Sequence, residues 1–180
     1  MTIRTAGPRT SEEGFTLVEL LIVVAIIGVL ASISMALYRN ARVSANEAAV
    51  KAALRTINDA QLAYAQACGN QRFAPTLLSL GTPMPTTKQP FLGADLATAD
   101  PVVHHGYVLA MTGTALTDGT RSCTDEPPLT GYALTADPVN ALSGIRFFGT
   151  NSDRAIFEDT ATFVGTMPET GAPGHGSELR

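Results

Sequence analysis

The pattern of apolar and polar positions divides this chain in two. From Phe15 to Tyr38 it reads FTLVELLIVVAIIGVLASISMALY, with Glu19 as the only charge. This window is apolar on every side of a helix. At 1.5 Å per residue its 24 residues reach roughly 36 Å, enough to cross a hydrocarbon layer of about 30 Å with some tilt. After Tyr38 the pattern changes, but the helix signal continues. Phe15 to Cys68 contains no proline and a single glycine, Gly28, and 39–67 is rich in Ala and other good helix formers. Val50, Leu54, Ile57, Tyr64 and Cys68 follow the 3–4 spacing of one helix face, with Gln61 breaking the stripe. Glu47–Lys51 and Arg55–Asp59 stand at i, i+4 off that face as ion pairs. Gly69 suits a C-terminal cap. The spacing predicts one helix of about 53 residues, roughly 80 Å long, apolar all round in its first half and amphipathic in its second.

Beyond Cys68 the period switches from helical to alternating. Pro75 followed by TLLSL predicts one short helical turn, with Pro75 near its first position. Residues 81–105 carry four prolines and read as a connection. Alternation then predicts antiparallel strands at Gly106–Met111, Gly131–Ala136, Ile145–Phe148 and Ala155–Phe157, with a further piece at Thr162–Val164. Asp118-Gly119 and the run Gly149–Asp153 supply the turns. A small sheet cannot stand alone with one face bare, and the Val50/Leu54/Ile57/Tyr64 stripe is the surface for it to cover. Burying those four side chains contributes on the order of 6–12 kcal/mol before entropic costs. The predicted fold class is α+β: a long N-terminal helix whose second half packs against a small antiparallel sheet. The last stretch, 166–180, is polar and bears Gly and Pro, the composition of a disordered tail.

Composition sharpens this picture. The 180 residues are 45% apolar, unremarkable for a globular protein, but the average sums two unlike parts. Ten of the 11 prolines lie after residue 74, where the helix gives way to the head. A net charge of −4 argues against a nucleic-acid partner held by a basic surface. Two cysteines are too few for a four-thiolate zinc site. Hydropathy alone leaves a membrane anchor and a secretory signal open. Ser34-Met35-Ala36 could serve as a small-residue cleavage site, but that reading leaves Glu19 unexplained. A carboxylate within a span costs a few kcal/mol and is by default a functional residue with a partner.

Gly14-Phe15-Thr16-Leu17-Val18-Glu19-Leu20-Leu21 resembles the processing motif of type IV prepilins and type II secretion pseudopilins: a short polar leader, a Gly, a Phe, a Glu four residues after it, then an unbroken apolar helix. The strong likeness covers residues 1 to about 40. The resemblance implies that Gly14 is the last leader residue, recognised by a membrane-embedded aspartic prepilin peptidase. It implies that Phe15 becomes the N-methylated N-terminus. Glu19 would then face the Phe15 amine, on a neighbouring subunit of a filament, since either charge left unpaired in an apolar layer is costly. Gly28 matches a glycine often found in this helix, where a filament can loosen it; close helix packing in the membrane explains it equally well. Two departures stand out. Glu12-Glu13 precedes Gly14 where the family usually has a basic residue, and Ala36 stands where many members carry a helix-bending proline.

The resemblance implies a structural subunit, pilin or pseudopilin, and not an enzyme. Its partners would be identical or homologous pilin subunits, the prepilin peptidase, the inner-membrane assembly machinery and the membrane itself. It would reside in the inner (cytoplasmic) membrane with its head in the periplasm or outside, and later in a pilus or pseudopilus. The positive-inside rule does not orient it: Arg39 and Arg42 follow the span, while Arg4, Arg9, Glu12 and Glu13 cancel before it. The organisation is a leader over 1–14, a transmembrane and filament-core half-helix over 15–38, the amphipathic half-helix with the sheet head over 39–165, and the tail over 166–180. The alternative is a single-pass anchored or secreted binding module that does not polymerise. Cys68 lies one turn beyond Tyr64 on the same face, so its thiol points toward the head. A Cys68–Cys123 disulfide is predicted, against the alternative of two unlinked thiols; closing that loop is worth roughly 4 kcal/mol. No metal or cofactor is expected. His104 and His105 are adjacent and would point opposite ways on a strand, and His175 lies in the tail. Asp125-Glu126, Asp153 and Glu158-Asp159 lack calcium-loop spacing and read as solvated turn acids. Phe147, Phe148 and Phe157 read as core.

Overall fold

A computed structural model describes residues 14–179. Residues 1–13, the body of the expected leader, and Arg180 lie outside the described residues. The described residues fall into two units, one ending at Arg39 and one beginning at Asn40. Helix α1, Leu17–Ala67, contributes its first part to the first unit and residues 40–67 to the second. In the first unit the large apolar side chains from Leu17 to Tyr38 are exposed on all sides. Ser32 and Ser34 turn their hydroxyls back onto the carbonyls of Val29 and Leu30 (2.7 and 2.9 Å), so neither needs water as a partner.

In the second unit α1 lies against an antiparallel meander. Its six strands are β1 (Val102–His104), β2 (Tyr107–Ala115), β3 (Leu129–Pro138), β4 (Phe147–Asn151), β5 (Ile156–Asp159) and β6 (Ser177–Glu178), paired in chain order. Val50, Leu54, Ile57 and Tyr64 are fully buried with Leu109, Tyr132, Leu134 and Phe148 in one core, as the 3–4 stripe predicts. Helix α2, Leu77–Gly81, starts from Thr76, whose hydroxyl accepts the Ser79 N–H (3.0 Å); Pro75 therefore precedes the cap. Gln61, expected to interrupt the stripe, is part of it. Its Oε1 accepts the Ala74 N–H (2.8 Å) and its Nε2 donates to the Ala74 carbonyl (3.2 Å), so the amide pairs with Ala74 as a strand residue would.

Several expectations are corrected. The i, i+4 pairs on α1 find other partners: Glu47 is buried and pairs with Arg146, and Asp59 pairs with Arg154. Thr162–Val164 is not a strand; Phe163 is buried there beneath the tail. β1 lies within the expected connection. Residues 166–179, expected to be disordered, are docked. Asn151 Nδ2 donates to the carbonyls of Pro168 and Gly171 (3.2 and 2.7 Å), Gly171 N–H donates to Asp153 (2.6 Å), and β6 pairs with β5. These contacts are polar and backbone-based, so a composition poor in apolar residues does not reveal them. His104 and His105 do not point apart: His105 takes a positive φ (47°) and the two rings meet edge to face at 4.4 Å.

Candidate functional site

The N-terminal segment and the helix–sheet junction carry the residues singled out by sequence. Gly14 and Phe15 precede α1 and are exposed. Thr16 is the residue before the first helical turn and Glu19 is the third residue of the helix. Thr16 Oγ1 accepts the Glu19 N–H (3.2 Å), while Glu19 Oε2 accepts both the Thr16 N–H (3.0 Å) and the Thr16 hydroxyl (2.8 Å). This is a reciprocal capping box: two otherwise orphaned N–H groups at the helix start are satisfied, and the carboxylate sits at the positive end of the helix dipole. The structure thus joins Glu19 to Thr16, a residue to which sequence reasoning assigned no role. The signal was available as Thr-x-x-Glu immediately before an apolar run. A Cβ built on Gly28 would meet nothing within 4 Å.

The helix–sheet junction depends on two long-range connections. Cys68 and Cys123 form a disulfide with Cα atoms 4.8 Å apart, and the Cys123 N–H donates to the Cys68 carbonyl (3.0 Å). The link ties the end of α1 to the β2–β3 connection. Gly69 is needed there for space, because a Cβ would lie 2.8 Å from the Tyr64 ring and collide with the Arg72 carbonyl; the left-handed conformations fall on Asn70 and Gln71 instead. The second connection is Glu47, only 3% exposed. Its carboxylate accepts from Arg146 Nη2 (2.7 Å), Arg146 Nε (2.9 Å) and the Ile145 N–H (3.2 Å), and Arg146 Nη1 reaches Glu158 (3.0 Å). The Glu47 bond holds the Arg146 guanidinium more firmly protonated than usual. Among the described residues, no group of three or more His, Cys, Asp or Glu side chains is arranged to hold a metal ion.

The two units together define a class: an α+β head whose helix carries an N-terminal portion long and apolar enough to cross a membrane, with none of that portion buried. The start of that helix has a recognised counterpart. Residues 9–35 match the family described as the prokaryotic N-terminal methylation motif. The matched segment is the N-terminal methylation motif borne by type IV pilin-like proteins, and the motif implies processing by a prepilin peptidase.

Proposed function

We propose that this protein is a structural subunit of a type IV pilus-like filament, either a pilin or a type II secretion pseudopilin. The observation that carries the reading is the Thr16–Glu19 capping box at the head of an exposed apolar helix, inside the matched motif. Cleavage after Gly14 leaves an ammonium on Phe15, four residues before Glu19. Both charges then sit at the edge of an apolar layer, where each is costly alone and the pair is much less so. Thr16 is the positioning residue: its hydroxyl and N–H hold one carboxylate oxygen, fixing the acid one turn from the new terminus. Helices that leave the bilayer regain in mutual packing what they lose from lipid, and the heads form the outer surface. The disulfide fits a head in an oxidising compartment such as the periplasm.

Mass spectrometry of the mature N-terminus is the first test. The expected product begins at N-methylated Phe15. A chain that retains Met1, or begins within 32–37, overturns the reading. Glu19→Ala tests the assembly role: the subunit should remain folded and membrane-inserted but be lost from the sheared filament fraction. Normal incorporation would refute the role assigned to Glu19.

A further inference from the structure

The docked tail builds a second constellation, unrelated to the N-terminal motif. His175 Nδ1 lies 2.7 Å from Asp159 Oδ2, and His175 Nε2 lies 3.1 Å from the Thr166 hydroxyl. A carboxylate only accepts, so Nδ1 carries the ring proton toward Asp159, and Nε2 of the neutral ring is left to accept from Thr166. The ring is held in this pose by stacking on Phe163, with centroids 4.8 Å apart and planes within 6°. The backbone is held as well: Gly176 (φ 88°) passes so close to Phe163 that a Cβ would lie 2.7 Å from its ring. Thr166 itself is exposed, and the positions beside it and beside His175, Gly165 and Gly174, face open space. A hydroxyl on a base whose far nitrogen is oriented by a carboxylate is the arrangement that activates an oxygen nucleophile.

We propose that Thr166 is an acyl-acceptor site, taking an acyl group from an activated ester (an aryl ester or a thioester) with His175 as its base and Asp159 as positioning residue. Thr166 Oγ1 attacks the carbonyl carbon and its proton passes to His175 Nε2. The C–O or C–S bond to the leaving group breaks, and the leaving group takes that proton. The products are Thr166 O-acyl ester and the free phenol or thiol; no oxidant, metal or further reactant is consumed. The Asp159 carboxyl, held below the usual carboxylate range chiefly by its bond from His175, stays ionised throughout.

The test uses the full chain in detergent, incubated with p-nitrophenyl acetate and followed by peptide mass mapping over time. Thr117, an exposed threonine with no hydrogen bond from its hydroxyl among the described residues, is the internal reference. Thr166 is expected to acetylate roughly 100-fold faster than Thr117, the scale of a positioned base. Thr166→Ser should keep the reaction, and Asp159→Asn should slow it at least tenfold. His175→Gln also removes the ring from Phe163, so it is read alongside limited proteolysis of the tail. Equal rates at Thr166 and Thr117 in the unaltered chain overturn the proposal, as does an unchanged Thr166 rate in Asp159→Asn.

Discussion

Glu47→Ala should cost the head about 2–3 kcal/mol, although a reading of α1 alone places Glu47 on a solvated face. Its side chain is only 3% exposed, and its carboxylate accepts three N–H groups, two of them from Arg146. Removing one partner of a fully buried pair costs roughly 3–5 kcal/mol because a charge is left stranded. Arg146 is 40% exposed and keeps Glu158 at 3.0 Å, so water and the remaining acid recover part of that. An exposed pair would contribute only about 0–1 kcal/mol. Reversible urea unfolding of the detergent-solubilised chain, followed by near-UV circular dichroism, measures the difference. The chain has no Trp, and Tyr64, Tyr107 and Tyr132 are fully buried in the head, so their signal reports its packing. Arg55→Ala, on the exposed side of the same helix, should stay within about 0.5 kcal/mol. A Glu47→Ala loss below about 1 kcal/mol, or no coupling in a double-mutant cycle with Arg146→Ala, would refute the claim that this pair joins helix to sheet.

Three further outcomes follow from the same geometry. Reducing Cys68–Cys123, which are 55 residues apart, should lower stability by about 4 kcal/mol through restored loop entropy; a change under about 1 kcal/mol in the urea midpoint analysis would mean that the unfolded chain is already held together there. Gln61→Leu should cost roughly 2–3 kcal/mol, since Ala74 is fully buried and loses the partner of both its N–H and its carbonyl; a neutral or stabilising result in the same titration contradicts this. The Asp159 carboxyl is held low by His175 and the Thr160 N–H, so the unfolded chain binds its proton at higher pH than the native one does. Its contribution to tail docking is therefore full above the ordinary Asp value of about 3.9 and is lost as pH falls through the lower native value. Hydrogen exchange at the Leu179 N–H, which donates to the Ile156 carbonyl (2.7 Å), should accelerate relative to the unfolded chain in that window, and Asp159→Asn should abolish the dependence. The same acid profile in the variant would count against it.

The elements legible in the sequence are those with a strong local period. The stripe from Val50 to Tyr64 follows one helix face, and its apolar members are all fully buried. The alternation at 131–136 lies within β3, and that at 106–111 falls on β2 except for Gly106, which sits in the turn before it. What escaped has no period to show. β1 is three residues directly after Pro101, and β6 is two residues in a Gly/Pro-bearing tail. Local spacing offers Lys51 to Glu47, whereas the partner chosen, Arg146, is 99 residues away. Lys51 instead lies over the Phe148 ring, 5.8 Å from its centroid. At the N-terminus the motif is plain, and Thr-x-x-Glu before an apolar run already signals the engagement of Thr16 with Glu19; the structure adds that one carboxylate oxygen takes both the Thr16 N–H and the Thr16 hydroxyl.

The polar residues on the buried face of α1 address a problem that an apolar stripe leaves open. Val50, Leu54, Ile57 and the small Ala53 and Ala60 could pack against a sheet in more than one register, because hydrophobic burial is non-directional. Glu47, Asn58 and Gln61 each accept only one arrangement. Glu47 requires Arg146 and the Ile145 N–H. Asn58 donates to Thr150 Oγ1 (2.9 Å) and accepts from the Tyr132 hydroxyl (2.9 Å), so it joins β3 and β4 at once. Gln61 requires Ala74, in the segment between α1 and α2. Sliding the helix by one turn, about 5.4 Å, would break all three sets together and bury several unpaired polar groups, at roughly 1–3 kcal/mol each. Three polar side chains spread over four turns thus turn a face that favours burial in general into one that favours a single placement of the sheet.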